Sequence, residues 1–234
     1  MNRHLILLLM KNYVRSHRHF PPLVFFLFGL ALLYSYRPNP VTDSYAMSAI
    51  LVYVVCAWIG YGIISSTEET HGHIIAIHSG NVRTYLLGKT LMIFLCGFSV
   101  ALFALLFPVA TNMFDERLSV HQWLLAFIVH MELSLLGMLI PLYFHRPFFH
   151  NGSFSVASVM AILIVSLVKD GIAGKFGGGL ELLWWLLPPV SQPVNLLANP
   201  NSLSAAHSIV ALVYPLVYFF ALYFAYFWLW KRKR

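Results

Sequence analysis

From Ala46 to Ser65 the chain carries no charged residue at all. As an α-helix rising about 1.5 Å per residue, such a run extends about 30 Å, the thickness of a bilayer's hydrocarbon core. Runs of this kind recur at 20–36, 85–111, 120–144, 154–168 and 205–230. In lipid each must satisfy its own backbone hydrogen bonds, which a helix does. The composition agrees: 59% of residues are hydrophobic and 10% charged, against about 25% charged in a soluble domain. The reading is an all-α integral membrane protein with six transmembrane helices. Residues 1–19 precede the spans, and 20–234 form one transmembrane domain. The first and fifth runs are short; the first gives about 25 Å, to be accommodated by a thinned bilayer, snorkelling flanks or an extension through Pro21 and Pro22.

An even number of spans puts both chain ends on one side, and the positive-inside rule selects that side. Arg3, Lys11, Arg15, Arg18, Arg83, Lys89, Arg146, Lys231, Arg232, Lys233 and Arg234 fall on one side, against Arg37, Arg117, Lys169 and Lys175 on the other. This places both termini in the cytoplasm. The net charge of +7 is thus a matter of topology, since the basic residues lie between apolar runs and at the ends, with no basic face for nucleic acid. The apolar stretch in MNRHLILLLMK is too short for a signal-peptide core, so the Met1 end is expected to be retained. Cys56 and Cys96 lie inside apolar runs without a CxxC pattern and are expected as buried free thiols.

Five features depart from plain spans. Residues Asn2 to His19 show Leu5, Ile6, Leu9, Met10 and Tyr13 on one arc and His4, Lys11, Arg15 and Arg18 opposite, with Leu8 breaking the pattern. That is the signature of an amphipathic helix on the cytoplasmic leaflet, apolar side down and basic side toward anionic headgroups.

Between the second and third runs stands STEETHGHIIAIHSGNVRTYLLGK. Ser65 with Glu68 and Ser66 with Glu69 each fit a capping box, which predicts a short cytoplasmic helix starting there. Ile74, Ile75 and Ile77 give it a face for docking a partner, and Ser79, Gly80 and Asn81 supply the turn that follows. Gly88-Lys89-Thr90 matches the end of a phosphate-binding loop, but Arg83 stands where that motif needs glycine, so nucleotide binding by this chain is not expected. His71, His73 and His78 beside Glu68 and Glu69 have the residue types of a metal site without its spacing, and are read as solvated or partner-facing.

Glu132 and His130 fall at the centre of the fourth run, where an acidic side chain is expensive unless neutral or paired. The two readings are a functional pathway residue, or a protonated acid bonded to a neighbouring helix or to His130 of a second copy. The segment from Lys169 to Pro200 contains KFGGGLELLWWLLPP. It is too broken to span and too apolar for a solvated loop, and is expected as an outer re-entrant hairpin with Trp184 and Trp185 at the headgroups and Pro188 and Pro189 in the turn. The last run carries Tyr214 and Tyr218, whose hydroxyls are candidates to face a substrate path, with Pro215 as a kink.

A surface helix, six spans, a capped cytoplasmic helix and a broken outer hairpin together resemble the permease subunits of bacterial type-2 ABC exporters. The motif is carried by Glu68-x-x-x-Gly72, Ser79-Gly80 and Tyr85-Leu86-Leu87-Gly88-Lys89. Gly80 replaces the proline that many members have after the serine, and the outer loops are short. The resemblance implies that Glu68, Glu69, His71, Gly72, His73, Gly80 and Arg83 belong to a coupling region that docks on a separate ATPase subunit. It further implies two ATPase copies holding ATP and magnesium, a second permease copy forming a homodimer or heterodimer, and no cofactor or metal on this chain. The implied setting is the bacterial plasma membrane. Amphipathic peptides, such as phenol-soluble modulins or bacteriocins, are the first cargo class, followed by hydrophobic antibiotics and lipid-linked glycans. A membrane enzyme and an ion-coupled secondary transporter are the rival readings. The first lacks HExxH, GxSxG and paired aspartates; the second lacks an inverted repeat.

Overall fold

The computed structural model describes residues 3–69, 82–144, 151–176, 186–200 and 204–232. Its elements are the helices Arg3–Arg15 (α1), Phe20–Leu33 (α2), Val41–Glu69 (α3), Val82–Ala110 (α4), Val120–Tyr143 (α5), Gly152–Phe176 (α6), Ser191–Ala198 (α7) and Ala205–Arg232 (α8). Five of them (α3, α4, α5, α6 and α8) are long and apolar enough to cross a membrane, the architecture of a multi-pass membrane protein.

The sixth apolar helix, α2, has 14 residues, about 21 Å, and stops at Leu33, before the expected Tyr36. Pro21 and Pro22 lie in its first turn, where proline's missing N–H costs nothing. No further helix extends it backward, because the chain turns at His17 with φ of 53°. Conversely, α6 runs well past the expected end at Val168 and carries Lys169 and Asp170 inside it. At the start of α5, Ser119 and Gln122 form a reciprocal capping box: the Gln122 N–H donates to Ser119 Oγ, and the Ser119 N–H to Gln122 Oε1.

The helix start expected at Ser65 or Ser66 does not occur. Both residues lie inside continuous α3, where the Ser65 hydroxyl reaches back to the carbonyls of Tyr61 and Gly62 and that of Ser66 to Ile63. A serine followed three residues later by glutamate is also compatible with a helix interior when the hydroxyl bonds the preceding turn.

α3 is the hub of the bundle and packs most extensively on α5. Ser48 meets His130 near one end, and Gly60 meets Met138 and Pro141 near the other, so the two helices run parallel. α2 is antiparallel to α3, with Gly29 on Leu51 and Phe25 near Trp58. α4 is antiparallel too: the Tyr45 hydroxyl donates to the Leu105 carbonyl, and Lys89 Nζ lies 3.5 Å from the Ile64 carbonyl. α6 joins α3 through Tyr53 and Ser166, whose hydroxyls are 2.8 Å apart, and through Tyr61 to the Gly152 carbonyl. α8 reaches the bundle at Tyr143, which donates to the Leu222 carbonyl and meets the Tyr226 ring edge-on. These contacts bring α1 and the last turns of α8 to the same end of the bundle.

α1 is amphipathic, but its apolar arc is divided. Leu5, Leu9 and Tyr13 are buried against the protein, with Leu5 over Gly88 of α4 and Tyr13 over Gly62 of α3. Leu7, Met10 and Val14 are exposed on an adjoining arc, and Lys11 and Arg15 are exposed beyond it. The helix therefore has a protein face, an apolar outer face and a basic face, where the sequence suggested two. Leu9 is fully buried, and truncating such a leucine costs about 3 kcal/mol. Leu9→Ala should let α1 open about a hundredfold more often, read as faster amide exchange over residues 3–15 with the other helices unchanged.

Candidate functional site

Polar side chains inside a helix bundle in lipid need partners, and α5 brings two titratable residues to its centre. His130 is fully buried on the face toward α3. Its Nδ1 lies 2.7 Å from the Ala126 carbonyl and its Nε2 2.9 Å from Ser48 Oγ. A carbonyl only accepts, so Nδ1 carries the hydrogen, and Nε2 of the neutral ring shares the single Ser48 hydroxyl hydrogen with the Tyr45 carbonyl, 3.1 Å from Ser48 Oγ. The Tyr45 ring stands edge-on to the imidazole at 5.6 Å. With both nitrogens used within one chain and no exposed surface, His130 does not fit the expected bond to Glu132 of a second copy. The Ser48–His130 pair has the spacing of a nucleophile and its base, yet both residues are fully buried, which leaves no approach for a substrate.

Glu132 differs. It is 2% exposed, and neither carboxyl oxygen has a hydrogen-bond partner. Two residues on from His130, it points away from the α3 face.

Tyr214 and Tyr218 lie near the middle of α8, both half-buried. The Tyr218 hydroxyl donates to the Leu186 carbonyl at 2.7 Å and is thus tied to the segment before α7. In that segment Pro188, Pro189 and Val190 are buried. α7 buries Pro193, Leu196 and Leu197 among α3, α5, α6 and α8. Trp184 and Trp185 lie outside the described residues.

At the end of the bundle that carries α1, Glu68 and Glu69 close α3, and Arg83 follows the first residue of α4. The side chains of these three residues lie outside the description, as do His71, Gly72, His73 and Gly80. What is described is the stem on either side. Lys89 is buried, with Nζ near the Ile64 carbonyl and 6.0 Å above the Tyr85 ring. Arg18 Nη1 donates to Ser65 Oγ at 2.7 Å. Gly88, Lys89 and Thr90 lie within α4, so their amides belong to a helical ladder and cannot cradle a phosphate. Among the described residues no cluster of His, Cys, Asp or Glu could hold a metal.

Sequence reasoning missed Ser48, Tyr53 and Ser166, which bond across helices. In uniformly apolar runs their hydroxyls have no periodicity that would select them. Lys89 was visible, but as the end of a false phosphate motif.

The chain matches no protein-family model, no curated protein and no solved structure.

Proposed function

We propose that this chain is the membrane-spanning permease subunit of an ATP-driven exporter, with residues 66–83 forming the contact to a separate ATPase subunit. The observation that carries the reading is the braced stem beneath that loop. α3 and α4 are joined by Lys89 at the Ile64 carbonyl, and α1 is packed over Gly62 and Gly88 on the same two helices. A push on the loop would therefore move α1, α3 and α4 as one body, and α3 carries it to the centre of the bundle. The Glu68-x-x-x-Gly72 and Ser79-Gly80 pattern within the loop supports the same reading.

In this reading α2 is a sixth, short crossing beside α3, both termini are cytoplasmic, and the 186–200 segment is an outer re-entrant element held by Tyr218. Two permease copies, as a homodimer or with a related subunit, stand over two ATPase subunits that bind ATP and magnesium. The pathway between the permeases serves amphipathic peptides in the bacterial plasma membrane.

The test is co-purification with an ATPase, followed by transport assays on loop variants. Glu68→Ala and Gly72→Leu should each lower cargo-stimulated ATP turnover and transport about tenfold, the loss expected when about 1.4 kcal/mol of coupling is removed, with membrane insertion intact. Unchanged transport in both removes the coupling role. Transport that needs no ATPase and follows a proton gradient would favour an ion-coupled carrier instead, with Glu132 as its site.

A further inference from the structure

Glu132 combines near-complete burial with two carboxyl oxygens that lack any partner. A bare carboxylate in that position costs several kcal/mol, so the group must hold a proton and place it on an acceptor. The geometry of α5 and α8 indicates which acceptor.

Tyr143 follows Glu132 by eleven residues, about three helical turns, and so lies on the same face of α5. Tyr143 touches α8 at Leu222 and Tyr226. α8 runs alongside α5 in the same direction, so an equal distance back along both helices brings Glu132 level with residues 211–215. The contacts through α4 give the same level. Met138 of α5 lies against Gly97 of α4, and Phe94, one turn away, meets Phe219 of α8 at 5.5 Å.

At that level stands Pro215, inside α8. Proline has no N–H, so the Ala211 carbonyl loses its helical donor. Ala211 is 5% exposed, and Pro215 is also buried, so water does not readily replace that donor. One buried acid without a partner and one buried carbonyl whose helical donor position is a proline are thus at the same height on neighbouring helices.

We propose that the Glu132 carboxylic acid donates a hydrogen bond to the Ala211 carbonyl, closing across the helix pair the gap that Pro215 opens in α8. Glu132 is then a positioning residue that fixes the bend of α8. Because Tyr218 holds Leu186 from the same helix, that bend also sets where the 186–200 segment lies. The inference does not rest on the exporter reading.

The test uses the full chain in detergent. Glu132→Gln keeps an N–H donor and should melt with the parent protein, whereas Glu132→Ala should melt clearly lower. Pro215→Ala restores the amide that Ala211 lacks, so at least half of the loss caused by Glu132→Ala should vanish in the Pro215→Ala background. Infrared spectra supply a readout that packing alone would not move. The parent should show a hydrogen-bonded carboxylic-acid C=O stretch, and that band should be missing in Glu132→Gln. An equal loss in both proline backgrounds, or no difference in that band between parent and Glu132→Gln, overturns the proposal. If Glu132→Ala does not fold, the carboxylic-acid band still decides: it should shift in Pro215→Ala, where Ala211 has its own amide donor, and an unshifted band overturns the proposal.

Discussion

A Gly137→Leu variant should fail to accumulate as folded protein. A Cβ at position 137 would lie 2.3 Å from the Tyr53 carbonyl oxygen, 3.2 Å from its carbon and 3.3 Å from the Ala57 nitrogen. All three are backbone atoms of α3 that cannot rotate aside, so relief requires the two helices to part by about 1 Å, given ordinary contacts of about 3.5 Å. Their interface is the most extensive among the described helices, and Ala49, Val52, Ala57, Ala126 and Val129 are fully buried in the core they share. Between helices in lipid, close packing does the work that water exclusion does elsewhere. The expected cost is about 3 kcal/mol or more, the upper range for overpacking. The measurement is yield and melting temperature after detergent extraction. Gly171→Ala is the control: a Cβ there meets nothing within 4 Å, and replacing a helical glycine gains about 0.5–1 kcal/mol. A Gly137→Leu protein that melts with the parent would mean that α3 and α5 do not pack as described.

The second large effect is expected at His130. His130→Ala removes a fully buried ring, breaks its bonds to Ser48 and Ala126 and leaves a cavity between α3 and α5. Cavity and hydrogen bonds together predict a loss of about 2–4 kcal/mol. Ser48→Ala should cost less, about 1 kcal/mol. It deletes only a hydroxyl, although it strips Nε2 of its donor. The double variant should lose less than the sum, by about 1 kcal/mol, because the pair is one interaction. Strict additivity in thermal unfolding would show that the two side chains do not meet.

Much of the fold was legible because the bilayer leaves few options. Five of the six apolar runs form helices long enough to cross, and α5 matches its expected bounds almost to the residue. The exceptions have physical causes. Lys169 and Asp170 depress the hydropathy of a helix that nevertheless continues, and α2 begins at the expected Phe20 but ends at Leu33, short of the expected Tyr36. The division of α1 was hidden for another reason. A helical wheel separates apolar from polar but cannot distinguish an apolar arc covered by protein from one left open, and here the covered arc is the one that sets Tyr13 over Gly62 and Leu5 over Gly88.

The candidate site was legible in part. Glu132 and His130 stand out as titratable residues in an apolar run, yet their fates differ. Ser48, eighty-two positions earlier, satisfies the imidazole, while nothing adjacent in sequence does the same for the carboxyl. Pairings at such separations follow from how α3 and α5 align, which no local pattern records.

The packing of α1 also sets an order of events during synthesis. Leu5 rests on Gly88 of α4, and Tyr13 on Gly62 of α3, so the site of α1 is incomplete until the start of α4 has left the ribosome. At about 5–20 residues per second, that interval is on the order of ten seconds. Throughout it, Leu5 lacks the α4 surface on which it finally packs, and the burial of Leu5, Leu9 and Tyr13 is incomplete. α1 is thus made well before one of the two helices it finally rests on, and its docking waits on a segment some seventy residues downstream.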